Sequence, residues 1–393
     1  MNRPVLFLAL VFIACLLVAG LSLKSMFYSS PVAESYSVAE ILQNGDEGNF
    51  ARALGPRTFS FPQDYGAHNN YRTEWWYFTG NLKDDQEREF GYQLTFFRYS
   101  LASTELSKGS TWRSRQIYMA HFALTDIEDE RLYAFERFSR AAVGLAGAKS
   151  DGMNVWLDNW SAKSEKLSGF PLRLRAQEKN IAIDLILEQG KPIVLQGDKG
   201  LSIKNSKAGN ASYYYSFTRM PVSGSILING NRKRVSGLSW MDREWSSSAL
   251  SPEQIGWDWF ALQLSDNYEL MLYRFRRKDG KIDPFSYGVL VSPEGRTQAL
   301  KYDMIDIEVK SEWQSPRDGS KYPAQWHIHI PAHELFLDVR PAIADQELDL
   351  SFRYWEGAVR VSGSKGNKKI TGHGYVELTG YVNNEFNPKI KSN

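Results

Sequence analysis

Trp75-Trp76-Tyr77-Phe78-Thr79-Gly80-Asn81-Leu82 decides the fold, because its rings fall on both parities of an extended strand and because the pattern returns later in the chain. Trp257-Asp258-Trp259-Phe260-Ala261-Leu262-Gln263-Leu264 lies 182 positions further on, with Trp, Phe and Leu coinciding. Each copy passes through an Asp-containing turn into a second aromatic run, Gly91-Tyr92-Gln93-Leu94-Thr95-Phe96 and Tyr268-Glu269-Leu270-Met271-Leu272-Tyr273. A second echo sets Val222-Ser223-Gly224-Ser225 against Val361-Ser362-Gly363-Ser364, and Ser239-Trp240-Met241-Asp242 over Gly374-Tyr375-Val376-Glu377. Two echoes in one order read as a duplicated β unit.

Working outward, long helical periodicity is absent after Phe59, and short alternating runs separated by Asp, Asn, Gly and Lys clusters dominate. The pattern predicts strands at 75–82, 90–99, 117–125, 155–162, 181–188, 213–219, 257–264, 268–275, 305–313, 325–330, 335–339, 348–354 and 374–379. Side chains alternate with period two, so each strand turns one face to a core. The fold class is all-β, of the sandwich or barrel kind. Removing Arg3 and Lys24 from 47 basic residues leaves 45 against 45 acids, with no basic run. Such a balance argues against nucleic acid as the main partner.

Twenty uncharged residues, 4–23, are long enough to cross a bilayer as a helix and read as an export signal or a membrane anchor. Either outcome exports the rest of the chain, to the periplasm or another extracytoplasmic space. Lipid attachment at Cys15 is a third option, opposed by the apolar Leu16-Leu17-Val18 that follows it. Cys15 is the sole cysteine, so the remainder has neither disulfide nor cysteine metal site. The polar stretch 25–57 reads as a tether.

Tyr71-Arg72-Thr73-Glu74-Trp75-Trp76, His121-Phe122-Ala123-Leu124-Thr125-Asp126, Gly237-Leu238-Ser239-Trp240-Met241-Asp242-Arg243-Glu244-Trp245, Tyr354-Trp355-Glu356-Gly357 and Gly374-Tyr375-Val376-Glu377-Leu378-Thr379-Gly380-Tyr381 carry a resemblance. They resemble the lipocalin-like family that includes the AttH proteins and the carotenoid 1,2-hydratases, often labelled secreted hydrolases. The resemblance implies two consecutive lipocalin-like antiparallel barrels, here 58–249 and 250–385, followed by a tail at 386–393. It implies either a carrier of an elongated hydrophobic ligand, working beside ABC-type transporter components, or a hydratase or hydrolase using acid catalysis. Fold analogy alone does not choose between them.

The candidate acids are Asp242, Glu244, Glu74 and Asp258. Trp240, Asp242 and Glu244 share one strand face, with Met241, Arg243 and Trp245 on the other. Neighbouring carboxyls push each other's proton affinities apart, so one could stay protonated and donate to a double bond while indole faces stabilise the cation. The alternative is a strand salt-bridged through Arg243. Family members commonly have His where this chain has Arg243, and arginine cannot relay a proton. Glu74 is either a desolvated acid or an acceptor for Arg98, Asp258 an acid or an exposed strand residue, and His121 a base or a hydrogen-bonded core histidine.

Trp75, Trp76, Tyr77, His121, Trp240, Arg243, Trp245, Trp257, Trp259 and Tyr273 are the expected ligand-binding residues. They belong to a pool of 12 Trp, 20 Tyr and 21 Phe large enough to line an apolar hollow inside a barrel as well as fill cores. His327 and His329 share a strand face at zinc-compatible spacing, but Pro331 interrupts the strand before His333, and a solvated face is preferred. No Gly-x-Ser-x-Gly elbow, phosphate loop, dinucleotide fingerprint or His-Glu-x-x-His occurs, so neither a cofactor nor a serine hydrolase is expected.

Overall fold

Trp75-Trp76-Tyr77-Phe78 is apolar on both parities, and the strand that contains it, Thr73–Asp84, is buried on both faces. A strand with rings on both sides needs two partners, and the fold supplies them. Trp76 and Phe78 point into the interior of one curled sheet, while Trp75 and Tyr77 point out of it toward a second sheet. The computed structural model describes residues 49–103, 114–247 and 250–382. The expected signal or anchor at 1–24, most of the tether and the tail lie outside them. No helix among the described residues is long and apolar enough to cross a membrane.

The first sheet is antiparallel, and through its centre run Arg131–Arg140, Gln116–Asp126, Glu89–Ser100, Thr73–Asp84, Asn231–Ser246, Ala211–Ile228 and Ile181–Leu187 in spatial order. In the second, Tyr287–Val291, Glu269–Arg277, Gln254–Leu264, Lys368–Leu378, Tyr354–Lys365, Leu335–Pro341 and Lys321–Ile330 follow the same plan. In both, the first strand of the repeat pairs with the last: Tyr77 lies opposite Asp242, and Trp259 opposite Glu377. This is the tandem lipocalin-like architecture. The first sheet curls until its far strands meet, and the second curls until opposed strands pack across its interior. The Phe122 ring lies 5.7 Å from that of Trp160, Arg137 reaches Glu178 at 2.9 Å, and Phe260 packs 5.3 Å from Trp326.

The curled interiors are filled, unlike the hollow expected from the aromatic content. Trp76, Phe78, Phe90, Leu94, Phe96, Phe122, Trp160, Met241 and Trp245 interlock in the first. Phe260, Leu262, Leu272, Trp326, Ile328 and Leu337 do so in the second. The two sheets form one compact unit and pack through outer faces, where Tyr77, Tyr214 and Trp240 meet Trp259, Met271, Tyr273 and Tyr375. Gly91 permits the closest approach, since a Cβ there would stand 2.6 Å from the Tyr375 hydroxyl and 2.8 Å from the Ala358 methyl.

Two expected strands differ. Residues 155–162 form a hairpin, Asn154–Leu157 and Trp160–Ser164, because Asp158 takes a left-handed φ of 52° that Asp tolerates in a tight turn. Residues 349–353 leave the expected strand at 348–354 to reach the first sheet, where the Ser351 amide donates to Glu136. The end of the expected tether is docked rather than free: Ala53 is buried, and the Tyr213 hydroxyl donates to the Gly55 carbonyl at 2.9 Å.

Candidate active site

A cavity of about 450 Å³ lies at the seam between the sheets, a size usual for small-molecule sites. Trp75, Phe97, Trp257, Trp259, Tyr273 and Phe275 wall it, and Phe138, half exposed, stands at its solvent side 6.3 Å from Phe352. Asp242, Glu244, Glu356 and Glu377 also line it. The first two come from Asn231–Ser246. Glu356 and Glu377 face one another across Tyr354–Lys365 and Lys368–Leu378. Strand alternation delivers each acid to the outer face, so duplication of the unit brings acids from both copies to one place.

Asp242 is held by three donors: the Ser216 hydroxyl at 2.5 Å, the Tyr214 hydroxyl at 2.5 Å and the Trp240 indole at 2.7 Å. Burial pushes its carboxyl up to about 7, helped by the charge on Glu244 and opposed by those donors. Burial also raises Glu356 and Glu377, and the charge on Glu377 raises Glu356 further. Glu377 feels Asp242 and Glu244, while a Trp257 hydrogen bond opposes the rise. The Tyr77 hydroxyl bridges the seam to Glu356. Glu244 pairs with Lys204 at 2.8 Å and accepts from Ser212. Burial would lower the Lys204 ammonium, but Glu244 outweighs it and keeps Lys204 charged. The site therefore holds carboxyls that keep their protons near neutrality, one poised to titrate there, and a neutralised ion pair.

Glu74 does not serve as an acid. Burial alone would raise it, but Arg243 at 2.6 Å and Arg98 at 2.9 Å hold its carboxyl well below the usual range. Arg243 lies on the inward face, 3.9 Å over the Trp76 ring, and bonds the Tyr65, Gly66 and Trp75 carbonyls. It neither bridges Asp242 nor touches the cavity. Trp76 and Trp245 belong to the same filled interior, with His68 stacked 3.7 Å on Trp245. Asp258 faces away from the cavity into an ion pair with Arg274 at 2.9 Å and Arg276 at 3.0 Å.

His121 is a buried, hydrogen-bonded histidine, 2.7 Å from the Tyr354 hydroxyl. Burial lowers it to about 3, so it stays neutral. Trp240 acts through Asp242 rather than as wall. Trp75, Tyr77, Trp257, Trp259 and Tyr273 line the cavity. His327 engages Asp338 at 2.9 Å, and His329 stands 3.7 Å from Asp306. Glu356, Glu377, Tyr214 and Lys204 were missed. The repeat that lays Asp242 over Glu377 was the signal for Glu377, whereas Glu356 needed the strand register, and Lys204 and Tyr214 needed the packing of the seam.

The family profile described as AttH-like matches residues 52–381. The chain belongs to the AttH-like family. Kievitone hydratase from Fusarium solani subsp. phaseoli is 22% identical over 387 residues, covering 93% of this chain and 97% of its own. The crystal structure of a Nitrosomonas europaea protein assigned as AttH is 34% identical with a TM-score of 0.75, covering 85% of this chain and all of that one. Kievitone hydratase from Nectria haematococca shares the fold, with 15% identity and a TM-score of 0.64 over 86% of this chain and 97% of its own.

Proposed function

We propose that this AttH-like protein is a hydratase-type enzyme that adds water to an isolated carbon–carbon double bond of an apolar, isoprenoid-like substrate. The observation that carries the reading is the meeting of Asp242 and Glu377, one from each repeat, at an indole-walled cavity. Glu377, kept protonated by burial, gives its proton to one alkene carbon, and the π pair becomes the new C–H bond. The cation left on the neighbouring carbon is stabilised by the Trp257, Trp259 and Tyr273 faces. Water attacks it to form the C–O bond, and ionised Asp242 takes the proton released from the oxonium. Return of that proton to Glu377 through solvent closes the cycle.

The curated relative that covers 93% of this chain, a kievitone hydratase, favours this over the carrier reading. The test incubates the full chain with kievitone and with linear isoprenoid olefins in ¹⁸O-water. The expected result is one labelled alcohol oxygen per turnover, abolished by Asp242→Asn and by Glu377→Gln while quenching of tryptophan fluorescence by substrate persists. Unaltered lipid recovered with the protein, and no labelled product from either substrate class, would refute the enzyme and leave the carrier.

A further inference from the structure

Lys204 and Glu244 stand to one side of the proposed acid and base, and the reaction above uses neither. Their geometry is that of a donor and an acceptor offered together. Lys204 follows strand Leu201–Ile203 and brings its ammonium to the cavity, with the side chain 15% exposed. Among the described residues its one oxygen partner is Glu244 Oε1. Rings hold the other directions: Tyr273 with its centre at 4.7 Å, Tyr214 at 5.6 Å and Phe275 at 5.9 Å. The Ser212 hydroxyl also chooses Oε1, which leaves Glu244 Oε2 as an acceptor with no partner among the described residues.

Resting on the hydratase reading of this site, we infer that Lys204 and Glu244 form a subsite for a hydroxyl group carried by the substrate, beside the acid and base that act on the double bond. A hydroxyl satisfies both halves with a single atom, accepting from the Lys204 ammonium while donating to Glu244 Oε2. A carboxylate would accept from Lys204 but lie against Glu244 with no proton to give. An amine would repel Lys204, and an ether or a hydrocarbon would leave one or both groups desolvated and unanswered. The flat rings around the ammonium supply the apolar bed for the carbon that bears the hydroxyl. The substrate is thus amphiphilic, an olefinic chain with an alcohol or phenol head, rather than a bare hydrocarbon.

The experiment compares farnesol, farnesyl methyl ether and farnesene as ligands of the full chain, with dissociation constants read from quenching of tryptophan fluorescence. Farnesol is expected to bind about tenfold more tightly than the ether, the cost of leaving a buried polar group unpaired. Lys204→Met together with Glu244→Gln removes the pair without stranding one buried charge, and is expected to equalise the three ligands while retaining farnesene binding. Should that variant not fold, Lys204→Arg with Ser212→Ala keeps the charge balance and is expected to reduce the preference for farnesol. Equal binding of alcohol and ether by the wild type, or an undiminished preference in a folded variant, overturns the subsite. Binding is read at equilibrium in a Glu377→Gln background as well. A surviving preference without turnover in the wild type supports the subsite and defeats the hydratase, and turnover without preference does the reverse.

Discussion

Asp242→Asn should abolish hydration and yet make the folded protein more stable at neutral and alkaline pH. In the unfolded chain the Asp242 carboxyl titrates near 3.8, and burial pushes it up to about 7 in the folded one. Between those values the folded state holds a proton that the unfolded state has already lost, so stability falls as pH rises through the window and levels off above about 7. The shift is about 3 units, or about 4 kcal/mol at 1.36 kcal/mol per unit. Asparagine cannot ionise and escapes this penalty. It still accepts from Ser216 and Trp240, but its amide faces Tyr214 as a donor, and rearranging that contact costs about 1 kcal/mol. The variant should therefore be about 1 kcal/mol less stable below about pH 3, equal to the wild type near about pH 4.5, and about 3 kcal/mol more stable at about pH 8. Urea unfolding of both proteins, followed by tryptophan fluorescence at several pH values, measures the difference directly. A difference that stays flat from pH 4 to pH 8 would refute the reasoning, since the carboxyl would then have the same proton affinity folded and unfolded.

The profile of kcat/KM against pH should be bell-shaped, rising through about 7 as Asp242 ionises and falling at higher pH as Glu377 loses its proton. A single-limbed profile would remove one of the two from the reaction. Glu74→Gln should lower stability by about 3–5 kcal/mol, because it leaves the Arg98 and Arg243 guanidiniums buried without their carboxylate. Calorimetry checks it, and an unchanged melting temperature would count against a structural role. Gly91→Val should cost about 1–3 kcal/mol and weaken ligand binding, because its side chain would enter the space of Tyr375 and Ala358 and wedge the sheets apart.

Much of this molecule was legible in its sequence, and the rest was hidden for definable reasons. Rings on both parities of 75–78, repeated at 257–260, gave the duplicated sheet, and alternation placed Asp242 and Glu244 together on the face opposite Arg243. Alternation sorts side chains into two faces, but it does not say which face curls inward and which meets another sheet. That ambiguity put the ligand inside a barrel, when the inward faces carrying Trp76, Trp245 and Phe260 are solid core. Asp258 looked as available as Asp242, because its partners Arg274 and Arg276 are distinguished only by the register of Gln254–Leu264 with Glu269–Arg277. Glu356 reads in sequence as an ordinary strand acid until its ladder neighbour proves to be Glu377.

The carboxyls of Asp242 and Glu377 hang from separate sheets, and each sheet owes its shape to a different filled interior. The spacing of these two carboxyls is therefore set by how the two sheets pack on one another, joined by contacts such as Tyr77 to Glu356 and Arg219 to Glu269. A slight tilt of either sheet works like a lever on that spacing. Substitutions deep in a core, remote from the cavity, would change that spacing while every residue lining the cavity stays the same.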